Sequence, residues 1–221
     1  LFKYRTYNND NLDALKDSKI WCSLASEYND PFEFYFKLSS EQPTVPEIVR
    51  SFGLSVPELD AMEQKHKEDI YVQSRDALKD FSLSCFMEHN NSLLMWSHYS
   101  DSHKGFCIEY DFSSPQFYES IHPIFYTDTI LDYSLKSDFL QACITKSSIW
   151  EYEKEWRLIY HSSQAGLQKS PPIKAIYIGA MLNNEEKINK LKEIAQSLKC
   201  NVYKMVLSHY DYSIYPIRLT V

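Results

Sequence analysis

Strand-like and helix-like stretches interleave along the 221 residues without a strict β–α–β rhythm, and this interleaving narrows the fold more than any other feature. Residues 1–5 (LFKYR) and 20–24 (IWCSL) alternate as strands. Between them Leu12 and Leu15 mark a short helix, with Asn8, Asn9 or Asp10 as its N-cap. Residues 81–86, 105–112, 121–126, 156–160, 173–180, 201–208 and 212–219 read as further strands. Helices are predicted over 93–99 and 134–149, and over EEKINKLKEIAQSLK, where Ile188, Leu191, Ile194 and Leu198 share one face. Asn29-Asp30-Pro31 marks a turn. The pattern predicts a single α+β domain over 1–221, with a mixed, mainly antiparallel sheet and flanking helices. Residues 43–79 are charged, with apolar positions three and four apart, and are expected to form a helical insert. A break is expected near 53–57, with Ser55 as N-cap and Glu58 as its capping-box partner.

Composition then removes whole classes of function. Hydrophobic residues make up 44% and aromatics 15%, enough to build a core and line a crevice. Four glycines and no Gly-rich loop exclude a dinucleotide fingerprint or a phosphate-binding loop. The net charge of −7 argues against broad binding to a nucleic-acid backbone, while leaving room for a local basic groove. Five dispersed cysteines (Cys22, Cys85, Cys107, Cys143, Cys200) without a CxxC read as reduced thiols of a cytoplasmic protein. No run approaches the roughly 18 apolar residues of a membrane span, and no signal peptide is read at the start.

Three constellations could carry chemistry. In WEYEKEWRLIY, Glu153 and Glu155 lie one residue apart on the lip of a predicted strand, so both are expected to face one cleft. Trp150, Tyr152 and Trp156 crowd the pair, and Arg157 is expected on the opposite face. The bland reading of the same residues is a solvated strand edge. In LLMWSHYSDSHKGF, Trp96, His98, Tyr99, His103 and Lys104 fall within nine residues. Their spacing, with Cys107 four further on, fits no metal-ligand pattern, so no metal is expected. Arg5, ending the first strand, could clamp an anion or be an ordinary surface arginine. A nuclease or other hydrolase using His98, His103 and Glu155, and a ligand-sensing module without chemistry, stay open as alternatives.

Five segments together resemble the bacterial domain-of-unknown-function family twenty-nine seventy-one. They are KYR near the start, IWCSLASEYNDPFE, SLSCFMEHNNSLLMWSHYSDSHKGFCIEYD, WEYEKEWRLI and IYIGA. A more distant resemblance is to ADP-ribosyltransferases of the Arg-Ser-Glu type. These use an arginine on the first strand, a Ser-x-Ser on a middle strand and an E/Q-x-E before a later one. Arg5, then Ser82 and Ser84, then Glu153 and Glu155 occur here in that order, and Ser23 is a second candidate for the serine. The resemblance implies an ADP-ribosyltransferase-like fold and NAD as substrate. It casts Glu155 as stabiliser of the ribosyl cation, Glu153 as the group that orients the acceptor's attacking group or accepts its proton, and Arg5 as the pyrophosphate clamp. Tyr99 or Trp96 would stack on nicotinamide, and His98 or Tyr99 would border the cleft. The implied setting is a toxin-like effector of phage defence, with a protein or nucleic-acid acceptor, an antitoxin or defence partner, and no membrane.

Overall fold

A computed structural model of the chain describes residues 1–28, 30, 32–34, 37–38, 57–58, 61–62, 64–65, 68, 78–130, 132–133, 139–162 and 164–220. The strands are β1 (Phe2–Arg5), β2 (Lys19–Leu24), β3 (Lys37–Leu38), β4 (Phe81–Met87), β5 (Phe106–Tyr110), β6 (Ile121–Pro123), β7 (Phe125–Thr127), β8 (Asp132–Tyr133), β9 (Thr145–Ser147), β10 (Glu155–His161), β11 (Gly166–Lys169), β12 (Ile173–Ile178), β13 (Asn201–Leu207) and β14 (Ile214–Leu219). The helices among the contiguous stretches are α1 (Asn9–Lys16), α2 (Leu93–Tyr99), α3 (Pro115–Tyr118), α4 (Phe139–Cys143) and α5 (Glu185–Leu198).

Ten strands form one sheet in the order β11-β2-β4-β1-β5-β12-β13-β14, with β10 paired to β4 and β6 to β10. Its ladders are antiparallel except β12 with β13, which α5 connects as a crossover. The mixed α+β class with a mainly antiparallel sheet therefore holds. Two short parallel pairs, β3 with β8 and β7 with β9, lie outside that sheet.

The sheet opens at β4. One edge of β4 pairs with β10 from Phe81 to Met87. The other edge is divided: β1 takes Met87 opposite Phe2, and β2 takes Leu83 and Ser82 opposite Ser23 and Leu24. Ser84, Cys85 and Phe86 are in register with neither strand on that edge. A polar backbone group at such a gap needs another partner. Lys3 supplies one, donating from Nζ to the Cys85 carbonyl at 2.7 Å.

Apolar residues cover both faces. Helices α1 and α5 bring Leu12, Leu15, Leu191, Ile194 and Ala195 against Ile20, Phe86, Phe106, Ile108 and Ile176. Helix α2 brings Met95 and Trp96 to the other face, against Tyr4, Met87, Cys107, Tyr177 and Met205. Helix α1 begins at Asn8, whose side chain accepts from the Asn11 N–H, and α5 begins the same way at Asn184 with the Lys187 N–H. After α2 the chain turns through Asp101, Ser102 and His103, all left-handed (φ 49, 51 and 67°). The turn is held by the His103 N–H on the Trp96 carbonyl and by the Met181 N–H on the His103 carbonyl. Gly105 closes it, because a Cβ there would collide with the Arg5 carbonyl oxygen.

Several expected elements differ. The strand expected over 121–126 is two strands, β6 on β10 and β7 on β9, because after Ile124, still bonded to the Glu155 carbonyl, the Phe125 N–H passes to the Ile144 carbonyl. Of the helix expected over 134–149, the described part is α-helical only at α4, and positions 148 and 149 open a 3-10 turn. Thr145 Oγ1 bonds the Gln141 carbonyl there, and the chain leaves as β9. Strand β11 was not anticipated. It pairs with β2 across Gly166–Cys22 to Lys169–Lys19. The insert expected over 43–79 falls largely outside the described residues, as do Ser55, Asn29 and Pro31; positions 57, 58, 61, 62, 64, 65 and 68 are helical. Among the described residues no helix is long and apolar enough to cross a membrane. All five cysteines are free.

Candidate functional site

Glu153 ends a 3-10 turn (Ser148–Glu153) and Glu155 begins β10, so the two acids are not successive same-face residues of one strand. Between them Lys154 adopts the left-handed conformation (φ 45°, ψ 55°), which brings both carboxylates round to one side. They meet at Lys146 on β9, whose Nζ is 2.6 Å from Glu153 Oε2 and 2.8 Å from Glu155 Oε2. Both acids are buried rather than lying on a solvated edge. The Tyr99 hydroxyl donates to Glu153 Oε1 at 2.8 Å, and the Glu155 N–H donates to the Tyr126 hydroxyl at 2.8 Å.

Arg157 was expected on the face opposite the acids. Instead it shares the face of Glu155, as strand alternation by two requires, and has no exposed surface. Its Nε donates to Glu155 Oε1 (2.8 Å), its Nη1 to the Cys143 carbonyl (2.7 Å), and its Nη2 to both oxygens of Glu33 (2.7 and 2.8 Å). The guanidinium packs against the rings of Phe34 and Tyr28, at 5.1 and 5.5 Å. Lys146 also reaches Glu33 Oε1 at 3.4 Å. Three carboxylates thus share two cations, and with all three ionised one negative charge is left over. Burial opposes the charge on Glu155, yet Arg157 and Lys146 hold its carboxyl down at about 2. Burial pushes Glu33 the other way, above the usual carboxylate range, against the pull of Arg157 and Lys146. Lys146 is opposed by burial too, but Glu155, Glu33 and Glu153 keep it firmly protonated.

A pocket of about 240 Å³ opens at this cluster and runs into the split in the sheet. Its walls include Glu33, Glu153, Glu155, Lys146, Tyr99 and Trp150, whose indole N–H donates to Asp30 at 2.7 Å. From the split come Lys3, Arg5, Trp21, Ser23 and Ser84. The two serines stand differently. Register sets Ser23, Leu83, Cys85, Met87 and Glu155 on one face of the sheet, and Ser82, Ser84 and Phe86 on the other. Ser84 is buried and its hydroxyl is spoken for: it donates to the Trp21 carbonyl at 3.0 Å and accepts from Lys3 Nζ at 2.9 Å. Ser23 is half-buried on the Glu155 face, and its Oγ accepts from the Trp21 indole at 3.1 Å. Arg5 makes no hydrogen bond or ion pair among the described residues, and burial depresses its pKa.

The other aromatic candidates lie elsewhere. Trp96 is fully buried, its indole donates to the Asn90 carbonyl at 2.7 Å, and it packs edge-on against Tyr4. It therefore belongs to the core and cannot stack on a ligand. His98 is exposed and does not line the pocket, though its ring lies 6.3 Å from that of Tyr99. His103 bonds Ser97 Oγ and stacks near Trp96, so His98, His103 and Glu155 do not converge. Among the described residues no group of three or more His, Cys, Asp or Glu is arranged to hold a metal ion. Lys3, Glu33, Lys146 and Arg157 were missed as site residues. Lys3 and Arg157 could have been found from their two-residue offsets to Arg5 and Glu155. Glu33 and Lys146 come from distant stretches and carried no local signal.

The family model described as "Protein of unknown function (DUF2971)" matches residues 95–158. That segment holds Tyr99, Lys146, Glu153, Glu155 and Arg157, but not Lys3, Arg5, Ser23, Glu33 or Ser84. No curated protein and no solved structure matches the chain. Over residues 95–158 the chain is therefore similar to that family, whose description names no reaction.

Proposed function

We propose that the pocket binds NAD and cleaves its nicotinamide–ribose bond, passing ADP-ribose to a protein, a nucleic acid or water. The observation that carries this reading is the pocket's polarity. The carboxyl groups of Glu155 and Glu153 form one wall, and the Arg5 guanidinium, without an ion pair among the described residues, stands at the split. Breaking the glycosidic bond builds positive charge on the ribose, which a fixed carboxylate stabilises in a site shielded from water. Glu155 suits that role because Arg157 and Lys146 keep it charged and still. Arg5 suits the pyrophosphate, since a guanidinium binds phosphate oxygens in a forked geometry. At about 240 Å³ the cavity is somewhat smaller than the roughly 300–1,000 Å³ of ordinary ligand sites, which suits one half of a dinucleotide.

Tyr99 is the aromatic ring we assign to the nicotinamide side, and Ser23 the hydroxyl that faces Glu155. Glu153, tied to Tyr99 and Lys146, is assigned to the acceptor. A chain consuming NAD in this way would serve as a toxin-like effector, for instance in defence against phage. The test is nicotinamide release by the purified chain, followed alongside label transfer from NAD to protein and nucleic-acid acceptors. We expect release, and expect Glu153→Gln to depress transfer more than hydrolysis. A folded chain that releases no nicotinamide with any acceptor overturns the proposal.

A further inference from the structure

Lys3 is the unexplained group of the pocket. It is 7% exposed, lines the cavity and makes no ion pair among the described residues. A buried ammonium without a carboxylate is expensive to keep charged. Its Nζ donates to Ser84 Oγ at 2.9 Å and to the Cys85 carbonyl at 2.7 Å. Since Ser84 already donates to Trp21, both contacts are ones in which Lys3 is the donor. A neutral amine has two N–H bonds, so this arrangement uses both and leaves its lone pair uncommitted. Arg5 lies on the same strand face two residues on, roughly 7 Å along β1, and is itself without an acid partner among the described residues.

We propose that Lys3 is a nucleophilic amine that condenses with the carbonyl of a small oxo acid, whose carboxylate is held by Arg5. The Nζ lone pair adds to the carbonyl carbon. A carbon–nitrogen double bond then forms as the carbon–oxygen bond breaks, and both amine hydrogens leave with that oxygen as water. A desolvated lysine beside a second cation is a recognised way to make such an amine reactive. Burial, followed by Arg5, lowers the Lys3 pKa to about 7, against opposing pulls from Cys85, Cys22 and Glu155. This activity is separate from NAD cleavage, and the test reads a covalent mass on Lys3, so neither result decides the other.

The probe is glyoxylate with cyanoborohydride as trapping reductant, and acetaldehyde serves as the uncharged control. Peptide mapping gives the labelling rate of Lys3 beside those of the exposed Lys174 and Lys190. We expect Lys3 to label at least tenfold faster than either, with a rate that rises as pH passes upward through about 7. At a pH well above the Lys3 value, where the amine is neutral with or without Arg5, Arg5→Ala should reduce labelling by glyoxylate several-fold and leave acetaldehyde labelling little changed. A Lys3 that merely plugs the gap in β4 would label no faster than Lys190, or Arg5→Ala would change glyoxylate and acetaldehyde labelling by the same factor, and either result overturns the proposal.

Discussion

Arg157, with no exposed surface, joins Glu33, Glu155 and the Cys143 carbonyl. Three segments, one of them 124 positions away, therefore depend on one guanidinium. Removing one partner of a buried pair strands the others, at a cost of about 3–5 kcal/mol. Arg157→Met, which keeps length and loses charge, should lower stability by that amount in a denaturant titration at neutral pH. A loss under about 1 kcal/mol would mean the cluster is wetter than its burial implies. The residue types were legible in WEYEKEWRLIY, but their arrangement was only partly so. Alternation by two places Arg157 with Glu155, which the expectation of an opposite face overlooked. The partner Glu33 lies 124 positions away, where no periodicity reaches.

At the scale of elements, the junction at Lys154 decides whether the acids converge. A left-handed residue other than glycine costs roughly 1–2 kcal/mol, and here the Lys154 carbonyl accepts from the Glu88 N–H at 3.2 Å to hold it. Lys154→Gly should keep the site and change stability by less than about 1 kcal/mol. Lys154→Ile should lose at least about 2 kcal/mol, because a β-branched side chain tolerates this conformation poorly. Thermal melts of the two variants check the difference, and equal behaviour would remove strain from the account. Most strands of the main sheet could be read from alternation, as could α1 and α5 from their apolar faces. The 3-10 turn, β7, β9 and β11 could not, being three to six residues long and set by tertiary pairing rather than period.

Across the whole molecule, the site exists because β4 divides one edge between β1 and β2. The division lets a pocket pass from the acid face to the Lys3–Arg5 face, and no local pattern in the sequence announces it. The order Arg5, Ser84, Glu155 could be read from the chain; that Ser84 faces away from Glu155 follows only from the register. The central claim is that this pocket stabilises a ribosyl cation through Glu155. Nicotinamide release by Glu155→Gln, measured beside NAD affinity, tests it most directly. Loss of one such electrostatic contact costs about 3–4 kcal/mol in the transition state, so release should fall about 100- to 1,000-fold. Affinity should change far less, because the charge arises only as the bond breaks. Wild-type turnover in a folded Glu155→Gln variant would contradict the account.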